Sequence, residues 1–79
     1  MDSIDLMKMG VDSFTKGNIS AAKMIFERLP ENEYSYFMLA CCYEKGDSLV
    51  AKDYQKAFEL MQKSAELGYK DAEFRLGLY

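Results

Sequence analysis

The chain contains no histidine among its 79 residues, and its only two cysteines are adjacent. Without histidine, the chain lacks the commonest general base and the commonest metal ligand. Cys41 and Cys42 cannot join distant elements, because a disulfide framework needs spaced cysteine pairs, and they fall short of the four ligands of a zinc site. The glycines are spaced for packing and helix ends rather than for a phosphate-binding loop. These absences predict that the chain is not an enzyme and holds no cofactor or metal.

Long apolar runs and charge of a single sign are also missing. No apolar run approaches the ~18 residues that a membrane-spanning helix needs. The first five residues include two aspartates and no basic residue, whereas a secretory signal peptide begins with positive charge. The net charge is −3, with 13 acidic and 10 basic residues scattered along the chain, so the basic footprint of a nucleic-acid-binding protein is lacking. We therefore expect a cytoplasmic protein that binds neither membranes nor nucleic acid.

The sequence does contain helical periodicity, with cap residues in front of it and glycine or proline behind it. Apolar residues of the second helix, for example, fall at positions i, i+3, i+4 and i+7. No segment has the strict alternation of a strand. The five predicted helices run from the cap Ser3 to about residue 15, from 19 to 29 after the cap Asn18, from 33 to 45 after Asn32, from 54 to 67 after Asp53, and from Asp71 to residue 79.

An internal repeat indicates how these helices are arranged. The segment Phe37-Met38-Leu39-Ala40 returns 37 residues later as Phe74-Arg75-Leu76-Gly77. A helical period in the thirties is typical of a solenoid, in which each helix pair buries its apolar face against its neighbours. Glycine costs ~1 kcal/mol against alanine inside a helix, so glycines within helices suggest close crossings. We expect such crossings at Gly10, Ala22, Ala40, Ala57 and Gly77, with large residues, including Met9 and Phe58, packed beside them.

The second half of the chain resembles a Sel-1-like repeat through its leucine-alanine pair, its tyrosine and glycine, its aspartate and its lysine-alanine pair. The first half resembles a tetratricopeptide unit more loosely. The loop between the third and fourth helices departs from the pattern, since Ser48 and Leu49 replace an expected glycine and the loop is one residue longer. We expect Leu49 and Val50 to turn inward there. The matching residues are Leu39, Ala40, Tyr43, Gly46, Val50, Asp53, Lys56, Ala57, Ala65 and Gly68 in the second half, and Met9, Gly10, Gly17, Asn18, Ala22 and Phe26 in the first.

The resemblance implies a single all-α domain over residues 1–79, built as a short right-handed α-α superhelix of about two and a half helix pairs. Residues 1–30 would form the tetratricopeptide-like unit and residues 31–68 the Sel-1-like unit. Residues 69–79 would begin a third unit or cap the array. The resemblance also implies a concave face and a role as an adaptor or scaffold in protein complexes.

The first helix of each pair lines the inner surface of such an array, and the sequence predicts a partner-binding stripe there. The stripe is more apolar than one helix pair needs, which favours a peptide or an amphipathic helix of another protein as its ligand. Its two acidic residues would set the register with basic residues of the partner. The predicted partner-binding residues are Ile4, Met7, Val11 and Phe14 on the first helix, Tyr34, Phe37, Cys41 and Glu44 on the third, and Asp71, Phe74 and Leu78 on the fifth.

An alternative interpretation is a structural module without a free groove. The fifth helix has apolar residues but no following helix to cover them, and repeat arrays need capped ends. The chain would then be an oligomerisation module, with a homodimer formed through the C-terminal helix, or a fragment of a longer repeat scaffold.

Overall fold

The computed structural model describes residues 2–78, which form five α-helices and no β-strand. The predicted all-α class and the number of helices are therefore confirmed for this part of the chain. The superhelical geometry and its handedness stay predictions, as does the division into units. The helices are α1 (Ser3–Thr15), α2 (Ile19–Glu27), α3 (Glu33–Lys45), α4 (Tyr54–Glu66) and α5 (Lys70–Leu76).

Side-chain caps fix the start of four helices, and three of these caps are the predicted ones. Asn18, Asn32 and Asp53 each accept a hydrogen bond from the backbone amide three residues later, which satisfies a donor that has no partner inside the helix. The predicted cap Ser3 is wrong by one residue, because the carboxylate of Asp2 accepts the amide of Asp5 at 2.9 Å.

The helix ends differ from the prediction by a few residues. Helix α2 ends at Glu27 rather than at residue 29. Helix α5 begins at Lys70 without a side-chain cap, so Asp71 lies in its first turn, where a negative charge is favourable near the positive end of the helix dipole. The same helix ends at Leu76, and its predicted last residue, Tyr79, lies outside the described residues.

Each helix packs against the next one in the chain, and two apolar clusters form the core. Side-chain contacts also join α1 to α3, through Phe14 and Lys45, and α3 to α5, through Glu44 and Arg75. The Cα atoms occupy a slab of 31 × 28 × 16 Å. The first cluster contains Ile19, Ala22, Phe26, Leu29, Cys42 and Val50, and the second contains Ala40, Ala57, Leu60, Met61 and Ala72.

Gly10 allows α1 to approach α2 closely, as predicted. A Cβ atom at this position would lie 2.6 Å from a ring carbon of Phe26, whose side chain is fully buried. The same prediction is wrong for Gly77. It lies at the exposed end of α5, and a Cβ atom there would meet only backbone oxygens of its own helix.

Two of the large residues predicted to face inward are exposed. Each is next to a small buried residue in the sequence: Met9 precedes Gly10, and Phe58 follows Ala57. Consecutive helical side chains point about 100° apart. Because the small residue faces the neighbouring helix, the large residue next to it in the sequence is turned toward solvent.

The irregular loop between α3 and α4 is fixed by Asp47. Its carboxylate accepts the backbone amides of Leu49 at 2.8 Å and Val50 at 2.9 Å, and also that of Ser20, at the start of α2, at 3.0 Å. The hydrogen bonds from these backbone amides lower the pKa of Asp47, and the bond from Ser20 has the largest effect. They do so because they favour the charged form of the carboxylate. Val50 is buried as predicted, but Leu49 is 81% exposed, since the turn closed by Asp47 sends the two side chains in different directions.

Candidate functional site

A groove between α1 and the start of α3 gathers part of the predicted partner-binding stripe. We call it the α1–α3 groove. Its volume is about 530 Å³, which lies within the range of ligand-binding clefts. Four of the predicted residues line it, whereas none of those on α5 does. The lining residues are Ile4, Met7, Lys8, Val11, Asp12, Thr15 and Tyr34.

The floor of the α1–α3 groove follows from helical spacing on α1. Ile4, Met7 and Val11 lie at positions i, i+3 and i+7, so their side chains share one face of the helix. Met7 and Val11 are half-buried and pack against the first core cluster. Ile4 is 62% exposed. The groove therefore has a fixed apolar floor and one apolar side chain that no part of the described chain covers.

Aromatic residues lie at both ends of this face. Tyr34 lines the groove and is half-buried, and burial raises the pKa of its hydroxyl. Its ring meets that of Tyr69 edge-on, with 6.1 Å between centroids. Phe14 packs against the first core cluster, and the Nζ atom of Lys45 lies 5.5 Å from its ring centroid, which is a cation–π distance.

The remaining predicted residues of α3 are engaged within the chain. Phe37 packs against the second core cluster, and its ring centroid lies 5.0 Å from that of Tyr69. Cys41 packs against the same cluster. Glu44 forms an ion pair with Arg75 of α5. The expected role of Glu44, to hold a basic residue of a partner, is therefore filled by a residue of the same chain.

The predicted residues of α5 lie on the surface. Phe74 is 69% exposed and Leu78 is 68% exposed, and Asp71 is exposed as well. They do not line the α1–α3 groove. The predicted stripe is thus divided into the groove, an engaged middle part on α3, and an exposed apolar part at α5.

The two cysteines are poor nucleophiles and poor metal ligands in this environment. Burial raises the pKa of Cys41 to about 11 and that of Cys42 to about 12, so the reactive thiolate is scarce at neutral pH. Within residues 2–78, no group of three or more histidine, cysteine, aspartate or glutamate side chains could hold a metal ion. The groove offers an apolar surface with a few polar groups rather than a set of reacting groups.

The sequence analysis missed three lining residues of the groove, namely Lys8, Asp12 and Thr15. Asp12 forms an ion pair with Lys16 at 3.0 Å, and the hydroxyl of Thr15 donates to the carbonyl oxygen of Val11 at 2.9 Å. The available sequence signal is their spacing from the floor residues: Lys8 and Asp12 each follow one by a single position, and Thr15 follows Val11 by four, so all three lie at the rim of the apolar stripe.

Two other clefts are less suited to a macromolecular ligand. One is a surface depression of about 500 Å³ lined by residues of α2 and its C-cap Arg28, including Met24 and Ile25. The other, of about 280 Å³, lies between α2, α3 and α4 and has charged groups on both sides, such as Glu31 and Lys63. The α1–α3 groove differs from both in joining two helices over an apolar floor.

Comparison with known families identifies the second half of the chain. The family model of the Sel1 repeat matches residues 33–69, a segment that contains α3, α4 and the loop held by Asp47. The tetratricopeptide-like interpretation of residues 1–30 stays a prediction. Neither the curated proteins nor the solved structures gave a match. None of the helices within residues 2–78 has the length and apolar character needed to cross a membrane. Sel1 repeats generally mediate protein–protein interactions and are not enzymes. The chain therefore contains a Sel1-like repeat, which spans residues 33–69.

Proposed function

We propose that this protein is a non-catalytic adaptor that binds a peptide or an amphipathic helix of another protein in the α1–α3 groove. The observation that carries the proposal is the apolar floor of Ile4, Met7 and Val11, bounded by Tyr34, in a groove of about 530 Å³. Apolar side chains of a ligand helix at i, i+3 or i+4, and i+7 would match this floor. Methionine and aromatic side chains suit such contacts, because they adapt their shape and bury a large area.

The other predicted partner-binding residues have supporting roles in this proposal. Phe37, Cys41 and Glu44 would position α3 through their contacts with the core and with Arg75. Phe14 would close one end of the groove. A charged substitution at Phe37 would therefore test folding more than binding, because its ring packs against the second core cluster. The cytoplasmic location expected from the sequence stays a prediction.

The experiment that tests the proposal compares Ile4→Glu with Met24→Glu. Both side chains are largely exposed, at 62% and 68%, so both variants are expected to fold. Ile4 lies in the first turn of α1, where an acidic residue also favours the helix dipole. Displayed libraries of amphipathic helical peptides would be selected against the wild-type protein, and the selected peptides titrated against both variants.

We expect Ile4→Glu to weaken binding at least about tenfold, because a charge would replace an apolar contact. Met24→Glu, on the outer surface of α2, should leave the affinity within about twofold. Equal affinity for both variants would contradict the proposed site. A failure to select any peptide from a well-expressed, folded protein would contradict the adaptor function itself.

A second candidate function is self-assembly through α5. It is favoured by the exposure of Phe74 on α5 and of Leu78 just after its end, at 69% and 68%. A homodimer would cover these side chains with their copies. Light scattering over a dilution series tests this candidate, with Phe74→Glu as the disrupting variant. A monomer at all concentrations would exclude it, whereas a dimer that Phe74→Glu dissociates would place assembly ahead of the adaptor role.

A further inference from the structure

The charges beside the α1–α3 groove indicate the chemistry of its ligand. Only two of the lining residues, Lys8 and Asp12, are charged. The carboxylate of Asp12 is 3.0 Å from the Nζ atom of Lys16, so its charge is already compensated. Lys8 is exposed and forms no ion pair with any described residue. The charge that the groove presents without compensation is therefore positive.

A second lysine lies at the far end of the same face. Lys45, in the last turn of α3, is exposed, and its Nζ atom contacts the ring of Phe14 rather than a carboxylate. Along α1, Lys8 and Phe14 are separated by about 9 Å at 1.5 Å per residue. The apolar face between Ile4 and Phe14 thus has an uncompensated cation beside its middle and another at its end.

Glu44, the acidic residue of α3 that the sequence analysis assigned to partner binding, adds no uncompensated negative charge to this face. Glu44 forms an ion pair with Arg75 inside the chain, and Asp71 does not line the groove. The expectation of basic residues on the partner rested on these two carboxylates. The structure removes the basis for that expectation and leaves Lys8 on the rim of the groove, with Lys45 beyond it at the ring of Phe14.

We infer that the groove selects an amphipathic helix with acidic residues beside its apolar stripe, spaced about two turns apart so that they meet Lys8 and Lys45. This inference rests on the proposed function. Each ion pair would be partly exposed, so its contribution to affinity is modest. Specificity arises because a basic flank loses this attraction and adds repulsion in the same place. The net charge of −3 opposes an acidic ligand only weakly at physiological salt, because charges are screened over about 8 Å.

Two designed helical peptides test the inference. They share one leucine stripe at i, i+4, i+7 and i+11, and carry either glutamates or lysines at the flanking positions. Binding of each labelled peptide is measured by fluorescence anisotropy at low and at physiological salt. We expect the glutamate-flanked peptide to bind at least about fivefold more tightly, with a preference that falls as salt rises.

The matched variants are Lys8→Glu and Lys56→Glu, which change the charge of the whole chain equally. Lys56 is an exposed residue of α4 outside the groove. The preference for the glutamate-flanked peptide should disappear or reverse in Lys8→Glu and persist in Lys56→Glu. Equal binding of both peptides to the wild-type protein, or tighter binding of the lysine-flanked one, would overturn this inference while leaving the groove as a binding site. Binding of neither peptide would overturn the inference together with the proposed site.

Discussion

Replacing Gly10 with alanine should destabilise the protein, although alanine is the better helix former. The backbone preference alone would stabilise α1 by about 1 kcal/mol. Against this, the new Cβ atom would lie 2.6 Å and 2.8 Å from two ring carbons of Phe26, whereas carbon atoms in contact prefer about 3.5–4.0 Å. One of the two helices, or the ring, must therefore move by about 1 Å.

The ring of Phe26 has little freedom to move. Its side chain is fully buried, and it packs in the first core cluster beside Ala22 and Leu29. Overfilling of a packed core costs about 1–3 kcal/mol, and a displacement of about 1 Å places this case in the upper half of that range. We expect a net loss of about 1–2 kcal/mol for Gly10→Ala after the helix preference is subtracted.

Urea unfolding followed by far-ultraviolet circular dichroism measures this loss, with Gly77→Ala as the matched control. At Gly77 the nearest atom to a new Cβ is a backbone oxygen of the exposed last turn, at 3.3 Å, so the control should change the free energy of unfolding by less than about 0.5 kcal/mol. In a Phe26→Leu background, Gly10→Ala should lose most of its cost. A gain of about 1 kcal/mol from Gly10→Ala in the wild-type protein would refute the reasoning, because only the helix preference would then be acting.

Three further outcomes follow from other contacts. The buried hydroxyl of Ser64 donates a hydrogen bond to the carbonyl oxygen of Glu33 at 2.6 Å. Ser64→Ala should therefore lower the free energy of unfolding by about 1 kcal/mol, measured by urea titration. An unchanged free energy of unfolding would show that water replaces the contact. Burial raises the pKa values of Cys41 and Cys42 to about 11 and about 12. Both thiols should therefore react slowly with Ellman's reagent in the folded protein at pH 8 and rapidly in urea. Rapid reaction of the folded protein would contradict their burial. The pKa of Asp47 is lowered in the folded protein, so its charge stabilises the fold above the unfolded pKa of about 3.9, and this stabilisation is lost as the pH falls through the folded pKa. Thermal unfolding of Asp47→Asn should therefore depend less on acid pH than that of the wild-type protein. Identical pH profiles would exclude this role of Asp47.

Local signals in the sequence were sufficient for the helices. Asn18, Asn32 and Asp53 were recognisable as caps because a cap acts within three residues of itself. The small residues Ala22, Ala40 and Ala57 were also recognisable as sites of close helix crossing, and all three are buried. The positions of Met9 and Phe58 were not predicted correctly, because periodicity finds an apolar face but does not fix its edges.

The candidate site was only partly predictable because it depends on contacts between distant residues. The stripe of Ile4, Met7 and Val11 belongs to one helix, so it can be recognised from the spacing of these residues in the sequence. The ion pair of Glu44 with Arg75 joins residues 31 positions apart. No local pattern reveals such a pair, and therefore the sequence alone favoured a basic partner, whereas the ligand that we propose is acidic.

The contact of Asp47 with the start of α2 has a consequence for how the protein unfolds. A single carboxylate ties the loop of the Sel1-like repeat to the first turn of a helix 27 residues earlier in the chain. In repeat arrays, the coupling between neighbouring units decides whether they melt one after another or together. Because the longer loop contributes to that coupling, residues 1–30 and the Sel1-like repeat should unfold in one cooperative transition, and a loop shortened to the usual length would allow the first half to melt separately.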